Sequence, residues 1–336
     1  MTKQYKTHGM FFALLLTWIY PTIGQITNQT VLTIQSGTQV TVQGDLVNDG
    51  AGEIALEGQL SVDGNITNNS SANLTSGAGE TILQGSSGQT IGGSTLSRFG
   101  HLTQNNANGT QLNQNIEVDH NLTMQAGTIN LNGQTLDLGD TGEIVGESNT
   151  NRIFGTSGKI QAIRDLNAPA GANIAGMGVA ITSGANLGMT TIERSHASMA
   201  VGAGTSIDRT FDIDPANNAS LSAMLRIDYF DAELNGQDPN LLKQFRKSPG
   251  ATDWTPGFVT NSGANFVEGG PYNSMALWTL SADGTSAVGE LLPAISVKYY
   301  PNPVENGSQI FVEGLTQGKY DFVLFDMRGR KVWEKN

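Results

Sequence analysis

The sequence predicts an all-β protein: parallel β-solenoid-like repeats, then an antiparallel β-sandwich module, then an incomplete small β-sandwich at the C-terminus. Three observations lead there. Apolar and polar residues alternate over short runs, a 20-residue register recurs between Val31 and Ser70, and turn formers are abundant. The 336 residues include 42 Gly and only 14% charged residues. A typical globular chain has about 7% Gly and about 25% charged residues. Such a composition suits many short strands joined by turns better than helices.

Residues 1–24 form the first element. Lys3, Lys6 and His8 precede an apolar run from Met10 to Tyr20, interrupted by Thr17, and the small residues Thr22 and Gly24 follow. This pattern predicts a signal peptide cleaved between Gly24 and Gln25. The run is shorter than the about 20 residues a bilayer requires, and no later segment approaches that length, so no transmembrane segment is expected.

Residues 25–160 form the repeat region. Laying Val31–Gly50 over Ala51–Ser70 matches Ile34 with Ile54, Val40 with Leu60, Val42 with Val62, Gly44 with Gly64, Leu46 with Ile66 and Asn48 with Asn68. A third copy keeps Leu74 and Ile82 in phase. A fourth echo runs from Ile116 to Met124, with His120 at the glycine position, and on through Ile129 to Gly133. Twenty residues suit one rung of a parallel β-solenoid, whose coils bury their apolar faces by stacking. Gly44 and Gly64 are expected to turn the chain, and Asn48 and Asn68 to stack at a corner. The rival arrangement is a sandwich of tandem hairpins, which has no need of a strict register.

Residues 161–290 form the second module. Leu221, Ala223, Leu225, Ile227 and Tyr229 alternate with mostly polar residues, predicting a half-buried strand. Asp231–Gly236 supplies a turn, and the segments around Leu241–Phe245, Trp254, Phe258, Phe266 and Trp278 supply further strands of a sandwich. Gly176-Met177-Gly178, Asn186-Leu187-Gly188, Ile192-Glu193-Arg194, Arg209–Pro215, Tyr229–Gly236 and Trp278-Thr279-Leu280 resemble a module common in large surface proteins of the Bacteroidota.

Residues 291–336 carry a second resemblance. Tyr300-Pro301-Asn302-Pro303 is followed by Ile310-Phe311-Val312, Gly318-Lys319-Tyr320, and a stretch containing Asp326, Gly329, Arg330, Lys331 and Val332. This is similar to the type A C-terminal sorting domain of the type IX (Por) secretion system. The family pattern continues through another strand to a basic end, whereas this sequence stops at Asn336, so the resemblance implies a sorting domain cut short. It also implies a secreted or outer-surface location in a Gram-negative bacterium and the type IX machinery as a partner.

Composition excludes several functions. Without cysteine there is no disulfide, thiol nucleophile, Cys-ligated zinc or lipid-modified N-terminal cysteine. A net charge of −12 argues against nucleic acid as a partner. From Gln25 to Ser97 there is no Lys or Arg, and Phe99 is the one aromatic between Gln25 and Ile153, which suits a stalk or spacer.

The carboxylates Asp212, Asp214, Asp228, Asp231, Glu233 and Asp238 are calcium candidates, since calcium takes six to eight oxygens. Solvated turn and edge carboxylates are the alternative, and the EF-hand spacing is not met. His101, His120 and His196 are scattered without zinc spacing. Ser195 and His196 are neighbours, which on a strand face opposite ways, and no nucleophile elbow is present. No catalytic residue is expected.

The leading expectation is a non-catalytic surface protein with an adhesin-like, display or matrix role, binding surface glycans or host and matrix ligands. The alternative is a polysaccharide-binding or polysaccharide-cleaving solenoid. That would need two of Arg98, Arg152, Lys159 and Arg164 to converge with carboxylates in a deep cleft.

Overall fold

The computed structural model describes residues 24–71 and 74–282, together with the strands Lys298–Tyr300, Phe311–Glu313, Phe322–Phe325 and Lys331–Lys335. The expected signal peptide up to residue 23 lies outside the described residues, as do Pro301, Asn302, Pro303, Asp326, Gly329 and Arg330 of the sorting motif. Tyr300 ends one C-terminal strand, while Lys331 and Val332 begin another. Among the described residues regular structure is strand apart from three single-turn 3₁₀ helices, and no helix is long and apolar enough to cross a membrane.

The repeat region is a parallel solenoid of about six turns. Each turn contributes one strand to each of three faces. The first face stacks seven strands from Ile26–Asn28 to Ile153–Phe154, and the third stacks six from Gln39–Val42 to Glu143–Val145. The second face begins with Val31–Ile34, breaks its hydrogen bonding after Thr75–Ser76, and resumes from Ser97–Phe99 to Lys159–Asn167. Inward columns such as Leu46, Ile66, Ile91 and Leu112 fill the interior at 0–1% exposure. Burying each such side chain contributes about 1.5–3 kcal/mol.

The 20-residue register holds on two faces. Leu46 pairs with Ile66, Asn48 with Asn68, Val40 with Leu60 and Val42 with Val62. On the second face it does not: Ile34 lies beside Leu56, and Leu32 beside Ile54, so Ile34 and Ile54 are not partners. The cause is a compensated change of corner length. Between first and second faces the chain spends two residues, 29–30, in one turn and four, 49–52, in the next; between second and third it spends four, 35–38, and then two, 57–58.

Two further expectations are corrected. One extra residue before the third copy aligns Leu60 with Thr81, Ser61 with Ile82 and Val62 with Leu83. Because side chains alternate, that single step puts Ile82 on the outer side and Thr81 inside, where its hydroxyl has no hydrogen-bond partner. Ile54 likewise pairs with Thr75 rather than Leu74. The echo at Ile116–Met124 does turn a corner, but between the second and third faces rather than the third and first.

Gly44 and Gly64 also owe their identity to something other than backbone angle. A Cβ on Gly44 would sit 2.3 Å from the Gly24 carbonyl oxygen, and one on Gly64 would sit 2.4 Å from the Gly44 carbonyl carbon. They permit coils to stack closely. Asn48 and Asn68 stack as expected, and Asn28 extends the column: Asn28 Nδ2 donates to Asn48 Oδ1 at 2.9 Å and Asn48 Nδ2 to Asn68 Oδ1 at 3.1 Å. Gly93 follows in register and ends the column.

Lys159–Asn167 is the last parallel strand of the second face and the first antiparallel strand of the sandwich, paired with Thr135–Asp137 on one side and Asn186–Ser195 on the other. The expected boundary between residues 160 and 161 therefore falls inside a strand. That sheet continues through Thr210–Pro215, Leu277–Ser281, Lys243–Lys247 and Thr255–Pro256. A second sheet orders Ala170–Asn173, Val179–Thr182, Ala223–Asp228, Phe266–Tyr272 and Asn261–Gly263. Leu221, Ala223, Leu225, Ile227 and Tyr229 are all buried, as their alternation predicts, while Phe258 lies outside any strand and is 67% exposed.

The described residues fall into two compact units, residues 24–282 belonging to the first and the four C-terminal strands to the second. In the second unit, Lys298–Tyr300 pairs antiparallel with Phe311–Glu313, and Phe322–Phe325 with Lys331–Lys335.

Candidate functional site

Where the solenoid opens into the sandwich, the chain buries an unusual concentration of charge. Strand Asn186–Ser195 carries Arg194 inward at 0% side-chain exposure, between the buried Ile192 and the buried His196. Glu147, in the loop after the last third-face strand, meets it with both oxygens: Arg194 Nη1 donates to Oε2 and Nη2 to Oε1, each at 2.8 Å. Arg194 Nη1 also donates to the Met177 carbonyl at 2.9 Å, and Ile153 N to Glu147 Oε1 at 2.9 Å. Burial pushes the Glu147 carboxyl up, but the Arg194 charge and hydrogen bonds outweigh it and hold it below the ordinary carboxylate range.

A second buried pair lies nearby. Arg209 Nη2 donates to Glu233 Oε1 at 2.8 Å and its Nη1 to the Asp228 carbonyl at 3.0 Å, while Phe230 N donates to Glu233 Oε2 at 2.9 Å. A Cβ on Gly178, where φ is +79°, would come within 2.4 Å of Arg209 Nη1, so the glycine makes room for the guanidinium. Burial raises Glu233, yet the Arg209 guanidinium beside it brings it down to about 2.

His196 is 6% exposed, and burial lowers it to about 4, so it is neutral at pH 7. Its Nδ1 stands 3.4 Å from Glu233 Oε1, too long for a normal N–H···O bond, and neither ring nitrogen has a hydrogen-bond partner. The ring lines a cleft of about 340 Å³ with Arg152, Phe154, Thr156, Asp208 and Glu233. Burial, then the charge of Glu233, raise the Asp208 carboxyl.

The calcium candidates do not come together. Asp212 and Asp214 are exposed on one strand, Asp228 pairs with Arg226 at 2.8 Å, Asp231 accepts from Asn265 at 2.7 Å, Asp238 caps a 3₁₀ turn, and Glu233 is committed to Arg209. Among the described residues no group of three or more His, Asp or Glu side chains is placed to hold a metal.

The four basic residues are equally separate. Arg98 bonds Glu117 and lies 3.5 Å from Asp119, Lys159 pairs with Glu193, and Arg164 donates to the Gly139 and Gly142 carbonyls. Of the four, only Arg152 lines the cleft.

Three things escaped sequence reasoning. Glu147 stands alone in a loop with no local sign of its partner. His101 and His120, distant in sequence, have ring centroids 4.9 Å apart because about one coil separates them. Burial and His120 lower the His101 pKa, and its Nδ1 accepts from Asn121 N at 3.3 Å. Phe154, one residue past the aromatic-poor stretch, is 37% exposed. The structure gathers Met177 with Arg194, and Gly178 with Arg209 and Glu233, into two adjoining buried clusters.

The class this fold defines is a parallel β-solenoid whose final strand opens into an antiparallel sandwich. Comparison with family models, with curated proteins and with solved structures finds no match for the chain.

Proposed function

We propose that this chain is an exported, non-catalytic surface protein, with the solenoid as stalk and the sandwich as the head it presents. Its role is adhesion, display or matrix building. The observation that carries this reading is the sheet that runs unbroken from the second face into the sandwich through Lys159–Asn167. A shared sheet locked by a buried bidentate ion pair makes a stiff spacer, which suits presentation. The charged groups at the junction support the same reading, since Glu147 and Glu233 are engaged by arginines and backbone N–H groups. Glycoside cleavage calls for two carboxyl groups poised across an open site, one to protonate and one to attack or activate water.

The residues from Tyr300 to Val332 carry the export reading, with the type IX machinery as partner. The test is surface labelling of intact cells of a type IX-competent host and of a host lacking that machinery. Labelling should require both the machinery and residues 298–336. Equal labelling after deletion of those residues contradicts the reading.

A further inference from the structure

The outer side of the first face and the junction cleft meet at Phe154. Thr90, Gln111, Asn130 and Phe154 stand in one register on successive strands. At about 4.8 Å per strand, three steps cover about 14 Å. These side chains line a shallow groove of about 390 Å³ whose lining contains hydroxyls, amides and glycines but no charged group. Phe154 is 37% exposed and lines the groove and the cleft alike. Beyond it, the cleft wall holds the buried His196, whose Nε2 has no hydrogen-bond partner and whose Nδ1 stands 3.4 Å from Glu233 Oε1. Such a group carries a desolvation cost unless something entering the cleft completes it.

We propose that groove and cleft together bind a neutral oligosaccharide chain. Phe154 stacks on the apolar face of one sugar ring. Thr90, Gln111 and Asn130 exchange hydrogen bonds with hydroxyls along the chain, and His196 meets a hydroxyl of the sugar that enters the cleft. Amides and hydroxyls both donate and accept, as sugar hydroxyls do, and a regular row of them matches a repeating ligand.

Other polymers fit less well. An added peptide strand seeks an unpaired sheet edge, which here is the two-residue strand Ile153–Phe154; strands Gln89–Gly93, Thr110–Leu112 and Ile129–Asn130, which carry the polar row, are each paired on both sides. A polyanion meets a chain of net charge −12 and the carboxylates of Asp208 and Glu233 at the cleft. The inference rests on the proposed binding role and is independent of the export route.

The test is isothermal titration of the full chain with neutral linear hexasaccharides of β1,4-linked glucose, mannose and N-acetylglucosamine, with a galacturonate hexasaccharide as the anionic arm. At least one neutral hexasaccharide should bind. Phe154→Ala should weaken it about tenfold and Gln111→Ala about threefold, with the melting temperature of each variant unchanged. Gln111→Ala keeps the test open if Phe154→Ala fails to fold. Binding of none of the neutral series, equal binding by both variants, or binding of galacturonate alone overturns the proposal. A displayed chain that binds no glycan loses this inference alone; one that binds but is not displayed loses the export reading alone.

Discussion

The solenoid and the junction solve the problem of polar groups in opposite ways. In the first coils buried polarity is neutral and repeated: Asn28, Asn48 and Asn68 satisfy one another along the axis, and each coil contacts its neighbours. At the junction buried polarity is charged and singular: Glu147 with Arg194 and Glu233 with Arg209 join segments 47 and 24 residues apart in sequence. A repeat can be extended by copying its ladder, whereas its end has no next coil. Here the last strand pairs with the sandwich, and the Glu147–Arg194 ion pair ties the loop after the final third-face strand to it.

The largest predicted effect falls on that fixing. Arg194→Ala leaves the Glu147 carboxylate buried and unpaired and should cost about 3–5 kcal/mol in urea unfolding. The double variant Glu147→Leu with Arg194→Met should recover most of it. A loss under about 1 kcal/mol for the single variant would show that the pair is not the clasp described.

Next comes pH. His196 titrates at about 4 in the fold against 6.5 ordinarily. As pH falls below 6.5 the unfolded chain takes up a proton that the folded chain refuses, so stability drops by about 3 kcal/mol by pH 4. Glu233, held to about 2 against 4.5, is protonated more readily in the unfolded chain and extends the loss from 4.5 downward. His196→Gln should flatten the decline between pH 6.5 and 4; an unchanged slope would exclude His196 as its source.

The ladder effect is smaller. Asn48→Ala strands two amide neighbours and should cost about 1–3 kcal/mol, read as faster amide exchange in the first coils. Smallest of all, millimolar calcium should move the melting temperature by less than about 1 °C. A larger rise reversed by chelator would restore the carboxylate cluster around Asp212 and Asp231.

The same contrast explains what was legible in the sequence. The Asn48–Asn68 column could be read because equal coil lengths project to equal positions. Ile82 could not, because one inserted residue reverses every side chain after it, and nothing local marks an insertion as internal to a coil. Corner-length compensation hid the pairing of Ile34 with Leu56, since the sum over one turn still gives 20. The alternation from Leu221 to Tyr229 was legible as a strand because packing follows it residue by residue. The network at the junction was not, since it is assembled by tertiary contact between segments whose own patterns give no hint of each other.

That the strand Lys159–Asn167 makes solenoid and sandwich one cooperative body is tested most directly by hydrogen exchange through urea unfolding, followed in peptides covering Leu102–Met124 and Ala223–Asp228. The two peptides should show coincident transitions in the native chain and separate ones in Arg194→Ala. Two well-separated transitions in the native chain would contradict it.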